Sequence, residues 1–109
     1  MPDSHEAQIR DGLARLWKRS KPNVVKRVKA VSSTIDAMRD GVASPDAIHE
    51  AREQAHKLAG SLGTFGLPDA SKLAKAIEIE LERELPKLEE LLSLSAALSE
   101  VAQLYDPPH

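Results

Sequence analysis

Apolar residues recur at intervals of three and four along almost the whole chain, and this spacing restricts the fold more than any other feature. Val24, Val28, Val31, Ile35 and Met38 make one such run, and Ile48, Ala51, Ala55, Leu58 and Leu62 a second. Ala70, Leu73, Ile77 and Leu81 make a third, and Leu88, Leu91, Leu92, Leu98, Ala102 and Tyr105 a fourth. Ile9, Leu13, Leu16 and Trp17 form a shorter run near the N-terminus. Each run places one apolar stripe on a helix and leaves the rest of its surface polar. No segment alternates with period two for long enough to be a strand. Breakers fall between the runs. Ser20-Lys21-Pro22 interrupts the first, Gly41 sits where a C′ residue would, and Ser44-Pro45 reads as an N-cap followed by proline at the first helical position. Gly63-Thr64-Phe65-Gly66, Pro68-Asp69, Pro86 and Pro107-Pro108 supply the remaining boundaries. The spacing predicts helices near 4–19, 22–40, 45–62, 68–84 and 86–105. Helices with one apolar face each and short connections pack as an antiparallel up-and-down bundle. The expected fold is all-α: a four-helix bundle with an additional short N-terminal helix capping its end or side, residues 1–109 forming a single domain.

A chain of 109 residues suffices for one modest core. Its net charge of −2 provides no overall basic field for nucleic acid. The charge is uneven, basic over residues 1–29 and acidic over 76–100, which reads first as solvated helix faces and second as steering of a protein partner. The absence of cysteine excludes disulfides, thiolate metal sites and cysteine nucleophiles. No apolar run approaches the ~18 residues of a membrane span, and no signal sequence opens the chain. A cytoplasmic protein with no membrane insertion is expected.

One histidine stands out by its position. On a helix turning about 100° per residue, the stripe 48/51/55/58/62 points close to Ala55, and His56 lies about 110° away on the shoulder. Its neighbours there are His49, Arg52, Glu53, Gly60 and Gly63. This histidine is presented to solvent. An imidazole titrates near neutral pH, so one nitrogen is available as a nucleophile, and a hydrogen bond to the other would fix tautomer and ring orientation. Arg52 and Lys57 bring positive charge for an anion near the ring. Gly60 breaks a local rule, because glycine inside a helix costs about 1 kcal/mol relative to alanine. It removes bulk where another protein's active-site rim would approach. Together these residues describe a histidine that accepts a phosphoryl group from a separate protein.

A metal site is not expected. Glu53-x-x-His56 matches the Glu-x-x-His element of di-iron bundles, but no second such element exists. His49 to Glu53 fails the His-Glu-x-x-His pattern, since position 53 is glutamate. Ser61 and Thr64 lack the base that a nucleophile needs and are read as helix-end hydrogen-bonding residues.

The run His56-Lys57-Leu58-Ala59-Gly60-Ser61-Leu62-Gly63-Thr64-Phe65-Gly66-Leu67 closely resembles the signature of histidine-containing phosphotransfer (HPt) domains, and the following Ala70…Leu73-Ala74…Ala76-Ile77-Glu78 helix is similar to theirs. The resemblance implies a two-component phosphorelay role. His56 would be the phospho-acceptor, Gly60 the small residue giving access, and Lys57 the adjacent charge that helps hold the phosphoryl group. Glu78 falls where many members carry a Gln or Glu that bonds the histidine's other nitrogen. The implied partners are response-regulator receiver domains and a hybrid sensor histidine kinase. The expected protein is a monomeric phosphoryl carrier and not an enzyme. It has no cofactor of its own, and Mg²⁺ is expected from the partner receiver. There is no Gly-rich phosphate loop or aspartate cluster, and the chain is too short for a separate ATP-binding domain, so an autonomous kinase is not expected. The sequence departs from the family at Ala59, where many members carry lysine; Lys57 or Lys75 would have to compensate. The alternative is a non-catalytic adaptor that binds receiver domains, against which stand the intact His56 and Gly60.

Overall fold

The computed structural model describes residues 4–105, which form four helices. They are α1 (Ser4–Arg39), α2 (Pro45–Thr64), α3 (Pro68–Leu81) and α4 (Leu88–Leu104). Helices adjacent in sequence pack against each other, and α1 closes the ring against α4. Cross-helix bonds run in antiparallel register. Arg27 meets Gln54, His56 meets Glu78, Ala59 meets Ser71, and Lys21 meets Gln103. Among the described residues the fold is the expected all-α four-helix bundle, with no strand.

The N-terminal part differs from the sequence expectation. The segments expected as separate helices near 4–19 and 22–40 are one helix of 36 residues with Pro22 inside it. Proline removes one backbone donor and crowds the preceding turn, which ordinarily breaks a helix. Contacts on both sides of Pro22 hold the backbone in register here. Trp17 is 2% exposed before it and Val24 4% after it, both in the core. Lys21 Nζ donates to the carbonyl oxygens of Gln103 (2.9 Å) and Tyr105 (3.4 Å) at the end of α4. At 1.5 Å per residue α1 is about 54 Å long, and the molecule's longest dimension is 56 Å. The first turns of α1 therefore run past the end of the bundle, where Ile9, Leu13 and Leu16 are exposed. The extra N-terminal helix is a continuation of the first bundle helix.

Two other boundaries shift. The helix expected to reach residue 84 ends at Leu81, and the one expected from 86 begins at Leu88. Pro86 disfavours helical geometry at Leu85, and Glu80 accepts the backbone N–H of Lys87 at 2.7 Å, which sets the start of α4. That Lys87 N–H, with Arg83 Nη1 at 3.2 Å, holds the Glu80 carboxyl below its ordinary value against the upward push of burial. The glutamate-rich run after residue 78, expected as a solvated face, thus includes a buried structural carboxylate. The Pro107-Pro108 stop lies outside the described residues.

Helix ends elsewhere follow local chemistry. Ser44 Oγ accepts the Ala47 N–H at 3.1 Å, and Pro45 begins α2. α1 and α2 both end in Schellman motifs. In α1 the Val42 N–H bonds the Ala37 oxygen with Gly41 at φ 74°; in α2 the Leu67 N–H bonds the Leu62 oxygen with Gly66 at φ 78°. Leu62 and Leu67 both join the core, so the second motif carries its usual hydrophobic contact.

The chain's three aromatic residues meet at this end of the bundle. Trp17 packs edge-on against Phe65 and Tyr105, with ring centroids 5.3 Å away in each case. Trp17 Nε1 lies 3.4 Å from the Tyr105 carbonyl oxygen. One residue of α1 thereby ties the α2–α3 corner to the end of α4.

Candidate functional site

His56 is the twelfth of the 20 residues of α2, and its side chain is 67% exposed. The inward stripe of α2 (Ala51, Ala55, Leu58 and Leu62) is fully in the core, so the helix has no freedom to rotate the imidazole inward. The ring leans toward α3, where its Nδ1 lies 2.9 Å and 3.1 Å from the two carboxylate oxygens of Glu78. Glu78 is 6% exposed. One turn earlier on α3, Lys75 Nζ stands 3.0 Å from Glu78 Oε1. With Nδ1 facing the carboxylate, Nε2 is the nitrogen turned to solvent.

The hollow beside the ring is shallow, about 300 Å³, and lined by Arg52, Glu53, His56, Glu78 and Glu82. Arg52 Nη2 contacts His49 Nδ1 at 3.0 Å and Glu53 Oε1 at 3.4 Å. A larger hollow of about 700 Å³ lies at the start of α4, lined by Pro86, Leu88, Leu94 and neighbours, but it holds no histidine. The chemistry is concentrated beside His56.

The residues singled out from the sequence divide into two groups. His56 and Glu78 come together. Lys57 is exposed and makes no ion pair among the described residues; it lies a further ~100° around α2, away from α3. Gly60 is exposed one turn above His56, and a Cβ placed there meets nothing within 4 Å. No neighbour within the chain requires glycine at this position. Sequence reasoning named Lys75 only as one of two candidate charges. Its i, i+3 spacing to Glu78 was the available signal. Glu82, the residue that caps the end of α3, was missed among the other glutamates.

Burial alone would raise the pKa of Glu78. The hydrogen bonds and charges of Lys75 and His56 outweigh it and hold the carboxyl below its ordinary value of 4.5. A carboxyl depressed on folding contributes stability in full above its unfolded pKa and loses it as pH falls through the folded value. The expected result is that Glu78→Gln removes part of the loss of stability seen below about pH 4.5, measured by urea unfolding across pH. An acid limb identical to that of the parent protein would show that Glu78 is not held ionised.

Fold and site together define a small helical bundle with one oriented imidazole exposed on its side. Residues 28–104 match the family model of the Hpt domain. The chain belongs to the Hpt domain family, the phosphotransfer domains of two-component signalling. Protein RcaC of Microchaete diplosiphon is 30% identical over 90 residues, covering 80% of this chain and 14% of its own length. No solved structure matches the chain. The family match begins within α1 and leaves the first two thirds of that helix outside. Among the described residues no helix is long and apolar enough to cross a membrane.

Proposed function

We propose that this chain is a phosphorelay intermediate that accepts a phosphoryl group on His56 Nε2 from a receiver-domain aspartate and passes it to another receiver. The observation that carries this reading is the bond between Glu78 and His56 Nδ1, which leaves Nε2 outward on an exposed ring. A carboxylate bonded to one imidazole nitrogen orients the ring and favours the proton on that nitrogen, so the lone pair of the other is free to attack. In the transfer, the Nε2–phosphorus bond forms as the bond from phosphorus to the aspartyl oxygen breaks. The aspartate leaves as a carboxylate. The Nδ1 proton stays on the ring, now cationic, where the negative charge of Glu78 stabilises it. Return of the phosphoryl group to a second aspartate reverses each step.

The chain contributes the nucleophile and its orientation. The receiver contributes the acidic pocket and Mg²⁺, so that no cofactor of the chain's own takes part, and a hybrid sensor histidine kinase starts the relay. The carrier acts as a monomer in the cytoplasm, without a kinase site of its own. Arg52 and Lys57 are the cations nearest in sequence to the phosphorylated ring.

The test is incubation with a panel of phosphorylated receiver domains, followed by assay for acid-labile, base-stable label on this chain. Label is expected from at least one donor. Binding without label would favour the adaptor reading, and neither label nor binding would remove both.

Gly60 has a separate expected effect. Gly60→Gln should block transfer from a phosphorylated receiver while small phosphodonors still label the chain, because the added side chain obstructs only a large partner. Helix stability should rise by somewhat under ~1 kcal/mol, since glutamine is the better helix former and the position is open. Receiver transfer at the parent rate would show that access is not governed there.

A further inference from the structure

We propose that this chain binds further copies of itself head to tail, the N-terminal arm of α1 from one copy seating on the opposite bundle end of the next. This contact goes beyond the phosphotransfer reading and does not rest on it.

The arm is the stretch of α1 up to Trp17, where Ile9, Leu13 and Leu16 are exposed. Their spacing of four and three residues makes one stripe, the pattern by which an amphipathic helix anchors in an apolar groove. At about 100° per residue, Arg10 and Arg19 lie about 90° to either side of that stripe. Residues 4–19 carry four lysine and arginine side chains (Arg10, Arg15, Lys18, Arg19) against two carboxylates (Glu6, Asp11). The arm is therefore apolar along one line and basic on both flanks.

The complementary surface lies at the far end of the bundle, where the loop between α1 and α2 meets the one between α3 and α4. Two hollows of about 700 and 280 Å³ share Pro86 and Leu88 in their walls. Met38 and Ile48 line the smaller one. Beside them on the loops stand Val42 and Leu85, 75% and 87% exposed. The rim is acidic. Residues 36–46 carry three carboxylates against one arginine, and residues 82–90 carry four against one arginine and one lysine. Both arginines are engaged, Arg39 with Asp36 and Asp40, and Arg83 with the buried Glu80.

An apolar floor inside an acidic rim fits an apolar stripe with basic flanks. The arm cannot reach the rim of its own chain, because α1 places the two at opposite ends of a molecule 56 Å long. A second copy can. The two surfaces differ, so the contact is heterologous and repeats from copy to copy, where a two-fold dimer would close. Two arms laid together would instead set their basic excess face to face. Three large side chains bury less than the ~1,200–2,000 Å² of a stable complex. Dilute protein accordingly stays monomeric, and the contact forms where copies are crowded. His56 stays open throughout, on the flank between α2 and α3 and away from both ends.

The experiment is sedimentation velocity of the whole chain from about 10 μM to about 1 mM, the range in which so weak a contact fills. The sedimentation coefficient is expected to rise with concentration, and to rise less in high salt. Leu13→Gln with Leu16→Gln disables the arm, and Val42→Gln with Leu85→Gln disables the receiving end. All four side chains are exposed, and circular dichroism checks that each variant is folded. Should the arm variant unfold, Ile9→Gln, farther from Trp17, takes its place. Each variant alone should stay monomeric over the whole range. Mixed in equal amounts, the two should form pairs and nothing larger, because one intact arm then meets one intact end. A parent chain whose sedimentation does not change with concentration would overturn the proposal. Assembly lost in the arm variant but kept in the end variant would overturn it in favour of paired arms. A mixture that stays monomeric would overturn it as well.

Discussion

His56→Gln is expected to reduce phosphoryl acceptance to background while the bundle stays folded. The two halves of this result have different physical origins. Acceptance is lost because a carboxamide nitrogen has its lone pair delocalised and cannot replace an imidazole nitrogen as nucleophile. The fold survives because the side chain is 67% exposed and takes no part in the core. Glutamine can still donate a hydrogen bond to Glu78, and Lys75 continues to neutralise that carboxylate. The change in unfolding free energy should stay within about 1 kcal/mol, the net worth of one such bond. His49 provides the control. It is also exposed on α2, but its Nδ1 faces Arg52 and no carboxylate orients it. His49→Gln should therefore keep full labelling. Label retained in His56→Gln and lost in His49→Gln would move the acceptor to the wrong side of the pair and end the assignment made here.

The parts of this fold legible in the sequence were those governed by local rules. The stripes of α2 and α3 predicted their inward faces because burial in a bundle follows helical period directly. Gly41 and Pro45 marked ends where they stand because their backbone preferences act on their immediate neighbours. Pro22 illustrates the opposite case. Its local effect argues for a break, but Trp17 and Val24 are seven residues apart, in phase across two turns, and both are buried. Long-range packing against α4 outweighed the proline, and only the heptad interval hinted at it. Glu80 was illegible for a similar reason. Its partner is a backbone N–H seven residues away in a loop, which no helical pattern encodes. At the site, the shoulder position of His56 followed from arithmetic on the wheel, whereas its partner on α3 came from resemblance. The pairing of Lys75 over Lys57 depended on which way α3 faces α2, and no single-helix pattern contains that information.

Trp17→Ala is expected to be the most destabilising single substitution outside the α2–α3 core, at about 3–5 kcal/mol. Such a loss is a large share of the ~5–15 kcal/mol available to a domain of ordinary stability. Three contributions point the same way. A side chain 2% exposed leaves a void beside Phe65 and Tyr105 that the rigid helix ends fill poorly. Two edge-on aromatic contacts are lost together. The Tyr105 carbonyl loses a donor at 3.4 Å, although Lys21 remains at the same distance as a second one. The position also determines how the loss is distributed. Ahead of Trp17 the only core-level side chain on α1 is Ala14, and an isolated helix of about a dozen residues is marginal in water. Amides in the first turns of α1 should thus lose hydrogen-exchange protection first, while α2 and α3 around His56 keep theirs. Under conditions where the variant remains folded, its phosphoryl acceptance should match the parent's, because no contact of Trp17 reaches the imidazole. Urea unfolding followed by circular dichroism gives the free-energy change, and Trp17→Phe should recover most of it. A loss below about 1 kcal/mol, within the range of an ordinary surface change, would mean that the aromatic cluster does not hold the long helix to the bundle.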